Sequence, residues 1–270
     1  MDRRERRRAV VAVAFVAVAV VAPALVAARP ANQIPVGEYD GGADLSDPAA
    51  TAWERTPAVE VPLASAPSGL PNAEDVSTDS VSVTVAHTAE RLYVRLSWHD
   101  PTADRNVTSP RTFSDAAAVQ FPVNTSAQPA IAMGSTREPV NVWYWRATTG
   151  TEELLAGGPG TTTRFQDPMV STSVRRLDDS WAVVYERSLT AGTPNRTSIR
   201  MDRDVAVGFA VWNGSNMERA GRKAVSDWYH LPLGGGPGGP PYESLLWAVA
   251  GLAIVVVIVT TLVAVRRTSA

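Results

Sequence analysis

Between Val81 and Asp100 the apolar residues fall at every second position. Val81, Val83 and Val85 alternate with other residues, His87-Thr88-Ala89-Glu90 turns the chain, and Leu92, Val94, Leu96 and Trp98 alternate back. A period of two places these side chains on one face of a two-stranded ribbon, and that face needs a second layer to cover it. The rhythm returns at the other end of the chain. Asp204 to Trp212 carries Val, Phe and Trp in strand spacing, Asn213-Gly214-Ser215-Asn216 supplies turn chemistry, and Ala224 to Leu231 reads as the returning strand. Asp115–Val123, interrupted near its end by Pro122, Val140–Ala147 and Ser180–Leu189 add further strands. Val59–Leu63 adds a short one that Pro62 confines to an edge. In Val140–Ala147, Trp143 and Trp145 share one face and Tyr144 takes the other. Either one face walls a ligand pocket, or the strand is buried on both sides by aromatic packing. The expected architecture is an all-β sandwich.

Two apolar runs frame this body. Ala9–Ala28 follows a cap of five arginines and ends in Val-Ala-Ala, which fits a secretory signal peptide or an uncleaved N-terminal anchor. Leu245–Val265 is uncharged throughout, with Tyr242 and Trp247 on one side and Arg266-Arg267 on the other. It reads as a C-terminal transmembrane helix with its arginines in the cytoplasm. The division expected is a signal or anchor over 1–30, an irregular linker and edge region over 31–78, and the sandwich over 79–233. A Gly/Pro linker over 234–243 and the membrane helix over 244–266 complete it. The main domain then lies on the extracytoplasmic side of the cell membrane. Within the sandwich, Thr148–Pro168 is rich in Gly and Thr and reads as a loop; it lacks the Gly-Lys-Ser/Thr ending of a phosphate loop.

The formal charge of −2 hides an asymmetry. Eight of the 25 basic residues sit in the two terminal segments, so the middle holds 17 basic against 25 acidic residues. An acidic body argues against nucleic-acid binding. The absence of cysteine excludes disulfides, thiolate metal sites and cysteine nucleophiles. No G-x-S-x-G elbow is present, and the acidic pair Asp178-Asp179 points apart on a strand, so a hydrolase has little to stand on. Asn106, Asn124, Asn195 and Asn213 head glycosylation sequons.

Lys223 is the only lysine; every other basic residue is arginine. Arginine keeps its proton in a protein, whereas a desolvated lysine loses it and becomes a nucleophile, base or metal ligand. The plain alternative is an ordinary surface cation. Met133 sits beside Gly134 in a polar loop with Pro129 and Pro139, where there is little core to fill. Met217, Met169 and Met201 are rival thioethers by spacing alone. His87, His99 and His230 are candidate ligands that strand ends and turns would leave in solvent.

Four segments resemble one family. They are D-A-A-A-V-Q-F-P (Asp115–Pro122), M-G followed by P-V-N-V-W-Y-W-R (Met133–Arg146), F-A-V-W-N-G-S-N (Phe209–Asn216) and G-R-K-A-V-S-D-W (Gly221–Trp228). In this order they are similar to the haem b-binding gamma subunit of type II molybdoenzymes of the dimethyl sulfoxide reductase family, over roughly Val81 to Leu233. That group includes ethylbenzene dehydrogenase, dimethyl sulfide dehydrogenase, and selenate, chlorate and outward-facing nitrate reductases. The resemblance implies a haem iron held by one methionine and one lysine, which fall on Met133 and Lys223. It implies a non-catalytic electron-transfer role. The partners would be a molybdopterin catalytic subunit, an iron–sulfur subunit and, at the membrane, a quinol-oxidising cytochrome b or a soluble carrier. Without cysteine such a haem has no thioether link, which makes it b-type. Arg222, next to Lys223, is the residue expected to meet a haem propionate. The membrane helix departs from the soluble members of the group and suggests an anchor, with a respiratory nitrate reductase as the first choice of complex. The alternative is a carbohydrate-binding sandwich without haem, using Trp143, Trp145 and Trp212 as an exposed platform.

Overall fold

The structure is a computed structural model that describes residues 32–40, 42 and 44–234. The apolar segments Ala9–Ala28 and Leu245–Val265 lie outside the described residues. Among the described residues no helix is long and apolar enough to cross a membrane.

Fourteen strands and one 3-10 turn (Thr51–Arg55) make up the described chain, arranged as two sheets. The first sheet is built on β4 (Ser80–His87) and β5 (Arg91–His99), the hairpin expected from the alternation. β11 (Ser180–Ser188) and then the edge strand β10 (Ser171–Leu177) extend it antiparallel from β5. On the far side of β4 lie β1 (Val36–Glu38), in parallel, and β2 (Val59–Pro62), antiparallel, with Pro62 at its last position. The second sheet runs β3 (Ala64–Ser65), β13 (Ala224–Val225), β12 (Val205–Trp212), β6 (Ala116–Pro122), β7 (Val140–Arg146), β8 (Gly150–Ala156) and β9 (Thr163–Arg164). β14 (Tyr229–Leu231) also pairs with β12.

The core fills the space between the sheets, as the period of two requires. Val83, Val85, Val94 and Leu96 of the first sheet face Val119, Phe121, Trp143 and Phe209 of the second. Polar ties cross this layer, among them the Tyr185 hydroxyl donating to the Ala117 carbonyl at 2.7 Å and Trp181 Nε1 donating to Asp115 Oδ2 at 3.0 Å. A buried ion cluster closes one end. Glu153 Oε2 lies 3.0 Å from Arg196 Nε, and Glu153 Oε1 lies 3.7 Å from Arg187 Nη1; both Glu153 and Arg187 are fully buried.

Several expectations change. Thr148–Pro168 is not a loop throughout, because β8 and β9 run through it. The stretch over 31–78 contributes β1, β2, β3 and the buried side chains Ile34, Tyr39, Leu45 and Trp53, so it packs as part of the sandwich. The returning strand after Lys223 is split. Ser226 interrupts it, donating its backbone N–H to the Phe209 carbonyl while its hydroxyl oxygen accepts the Phe209 N–H. This break separates β13 from β14.

Candidate functional site

The central strands of the second sheet are buried on both faces; all eight residues of β12 are. One face of β12 (Val205, Val207, Phe209, Val211) faces the core between the sheets. The other carries Ala206, Gly208, Ala210 and Trp212, which together with Ala118 and Tyr144 form a second apolar layer outside the sandwich. A sheet apolar on both sides needs a cover on each. Here the outer cover is made of loops around Ala66–Gly69, Ile131–Met133, Pro159–Thr162 and Ala220–Lys223, and a cleft of about 600 Å³ lies between them and the strands. That volume is in the usual range for small-molecule sites, about 300–1,000 Å³.

The floor of the cleft is lowered by small residues. Ala118 and Gly208 leave room that larger side chains would fill, and a Cβ on Gly208 would come within 2.9 Å of Ile131 Cδ1 and 3.0 Å of Gln120 Nε2. Gln120 works in the same place, donating from Nε2 to the Ile131 carbonyl at 2.8 Å, while Trp228 Nε1 donates to the Pro129 carbonyl at 2.9 Å. These two bonds anchor the loop that carries Met133. Within it Met133 adopts φ +66° and Gly134 φ +70°. A left-handed methionine is uncommon and is kept only where its surroundings enforce it.

Lys223 meets that methionine. Its Nζ lies 3.6 Å from Met133 Sδ and 4.9 Å from the centre of the Trp212 ring, and the residue is 8% exposed. The turn before it is held by Glu218, which is 1% exposed. One Glu218 oxygen accepts the Ser77 N–H at 2.8 Å and the Asn216 amide at 3.0 Å, and the other accepts the Asn213 N–H at 3.0 Å. Asp115 pins the same turn through the Gly214 N–H at 2.9 Å. Burial, with the Asp100 carboxylate adding to it, pushes Asp115 up to about 6, against the pull of its N–H donors. Sequence reasoning did not single out Glu218, Asp115 or Gln120; a lone acid in a polar turn looks like a solvated charge.

Burial also pulls the Lys223 amine down to about 8 from its ordinary 10.5, and no carboxylate contributes to holding its proton. Charging it inside the fold therefore costs stability below pH 8, and the cost fades as pH rises toward 10.5. For the cofactor-free chain we expect wild type to gain on the order of 2 kcal/mol relative to Lys223→Met between pH 7 and 9.5. Urea denaturation at the two pH values measures this; parallel behaviour of the two proteins would contradict it.

Other expected positions fall elsewhere. Trp143 and Trp145 belong to the core between the sheets, and the cleft takes Tyr144 and Trp212 instead. All three tryptophans of the carbohydrate reading are at most 9% exposed, so they form no surface platform. Arg222 turns away from the cleft: its Nη2 lies 2.7 Å from Asp75 Oδ2, and its Nε donates to the Asp75 carbonyl. His87, His99 and His230 do not line the cleft, nor do the exposed Met169, Met201 and Met217. Asp178-Asp179 forms the β10–β11 turn.

The donor set fits a soft transition metal held from two sides. The Lys223 amine and the Met133 thioether, 3.6 Å apart, would be the nitrogen and sulfur donors to such a metal. Fold and cleft together define a β-sandwich module with a largely apolar cleft in which an amine and a thioether meet.

A family model described as "Ethylbenzene dehydrogenase" matches residues 50–175 and 166–224. The chain belongs to the ethylbenzene dehydrogenase family, as the resemblance of its four segments implied. A protein of Haloferax mediterranei named "Putative respiratory nitrate reductase heme subunit ORF7" is 58% identical over 96% of this chain and 94% of its own length. The chlorate reductase subunit gamma of Ideonella dechloratans is 35% identical, over 70% of this chain and 80% of that protein. The dimethylsulfide dehydrogenase subunit gamma of Rhodovulum sulfidophilum is 33% identical, over 73% and 79%. Among solved structures, a family 9 carbohydrate-binding module from Caldicellulosiruptor kristjanssonii in complex with glucose aligns with TM-score 0.42 at 12% identity, covering 74% of this chain and 94% of that one.

Proposed function

We propose that this chain is the haem b electron-transfer subunit of a membrane-anchored, extracytoplasmic molybdoenzyme complex, a respiratory reductase of the nitrate reductase kind. The observation that carries the reading is the pairing of Lys223 Nζ with Met133 Sδ, 3.6 Å apart inside an apolar cleft. The names of the three relatives, a heme subunit and two gamma subunits, support it. Lys223 would supply the nitrogen ligand and Met133 the sulfur ligand. A haem held by these two residues would supply one-electron transfer.

The protein's own residues prepare this. Burial lowers the Lys223 amine to about 8, so the neutral form, in which nitrogen has a lone pair to share, is easier to reach than for an exposed lysine. Glu218 and Asp115 fix the turn that leads to it. Gln120 and Trp228 fix the loop of Met133. Ala118, Ala210 and Trp212 give the floor of the cleft an apolar surface. The chain itself performs no substrate chemistry in this reading. Its partners would be a molybdopterin catalytic subunit and an iron–sulfur subunit, with a quinol-oxidising cytochrome b or a soluble carrier on the membrane side. The apolar segments Ala9–Ala28 and Leu245–Val265 support the anchored, extracytoplasmic placement.

The test is spectroscopic. Full-length protein purified in detergent and supplied with hemin should show sharp reduced b-type bands. All of its haem should extract into acidified organic solvent, since no cysteine is present to retain it. A protein that takes up no iron porphyrin would overturn the reading.

A further inference from the structure

The cleft has one charged rim, and it is not where the sequence placed it. Arg146 at the end of β7 and Arg164 on β9 both line the cleft, on the side away from β13 and Lys223. Glu152 of β8 stands between them, paired in register with Tyr144, while Leu154 on the same strand pairs with Arg164. Arg146 Nε donates to the Tyr144 hydroxyl at 3.0 Å and has no ion pair among the described residues. Arg164 Nη1 reaches Glu152 Oε1 only at 3.8 Å, and its side chain is 61% exposed. Both guanidinium groups thus keep donors free. Arg222, by contrast, spends its donors on Asp75 and Asn216.

We infer that Arg146 and Arg164 form the carboxylate-receiving edge of the cleft and orient a dicarboxylate porphyrin, with its propionates toward β7–β9. This rests on the haem reading above and adds the direction in which the ligand enters. Two considerations carry it. A guanidinium fork matches a carboxylate in shape as well as charge, and two forks flank a single, loosely held glutamate. β12, under the Lys223 amine, and β7, under Arg146, are two strand spacings apart, about 10 Å. That span is on the scale of a porphyrin's radius with its carboxylate arms. Ile131, Ala210 and Val225 give the cleft an apolar stretch of wall away from the two arginines, which suits the hydrocarbon edge of the ring.

The experiment compares hemin with hemin dimethyl ester, in which both carboxylates are masked, by titration into the full chain in detergent. Wild type should bind hemin about tenfold more tightly than the ester. The R146Q/R164Q double variant should bind both alike, with band positions kept because both axial donors remain. R222Q should keep the wild-type preference. Because Arg164 is exposed, R164Q alone preserves the readout where the double variant does not fold, with a smaller loss of preference. Equal binding of acid and ester by wild type would overturn the inference and leave the haem reading standing, as would a double variant that still prefers the acid. Uptake of neither porphyrin by wild type would overturn both.

Discussion

Lys223→Ala should leave a folded protein that no longer holds iron porphyrin as a six-coordinate complex. The substitution removes the amine that meets Met133 Sδ and leaves the cleft otherwise intact. We expect affinity for hemin to fall by roughly 100-fold or more, since disturbing even the outer partners of a metal site costs 10–100-fold. The sharp reduced bands should broaden or vanish. Lys223→Arg should be no better, because arginine keeps its proton and offers no lone pair. Met133→Leu should separate the two ligands. It retains the volume and the lysine, so porphyrin should still bind, but the reduction potential should drop with loss of the soft sulfur that favours the ferrous state. Hemin titration of the Lys223 variants and redox titration of Met133→Leu, each beside wild type, measure these effects. A Lys223→Ala protein with wild-type bands and affinity would remove Lys223 from the site.

Much of this site was legible, for uneven reasons. Lys223 stood out because the chain uses arginine everywhere else. Met133 did not stand out from three other methionines by spacing; only the family likeness selected it. No local pattern reports that residues 90 apart in sequence meet. Strands whose alternation was strong were read correctly: β4, β5, β6, β7 and β12 all fall where the sequence put them. β8 and β10 were missed because their sequences, G-T-E-E-L-L-A and S-T-S-V-R-R-L, look like surface. β10 is an edge strand and is mostly half-exposed. β8 hides a different reason, for its central acid Glu153 points inward to arginines contributed by distant parts of the chain. The aromatic run of β7 was read as two-faced, but which face met the cleft depended on which side the other sheet lay. The structure put the tryptophans inside and Tyr144 at the cleft.

Glu153→Ala should cost about 3–5 kcal/mol of folding free energy, the range for removing one partner of a buried ion pair. Glu153 sits between two guanidinium groups, accepts the Asn141 amide at 3.2 Å and the Met169 N–H at 2.8 Å, and is fully buried. Its loss strands the Arg187 charge, which has no exposed surface and stacks 5.0 Å from the centre of the Trp143 ring. Asn141 Oδ1 and the Thr197 carbonyl still accept from Arg187, but neither carries an opposite charge. For domains stable by about 5–15 kcal/mol, a loss of this size is a large share of the total. Glu153→Gln should cost less, since it retains the shape and part of the bonding. Urea unfolding followed by tryptophan fluorescence measures both; a loss below about 1 kcal/mol for Glu153→Ala would show that the cluster is far less desolvated than its burial indicates.

The amine and the thioether reach each other only through a chain of pairings, β13 on β12, β12 on β6, β6 on β7. Non-local contacts of this kind form late, after the entropy of closing the long intervening segments has been overcome. A nascent or threading polypeptide therefore has no grip to offer. If Lys223 and Met133 hold iron porphyrin as proposed, the pigment would arrive at a finished receptor, and its delivery would follow the chain to whichever compartment the sandwich completes itself in.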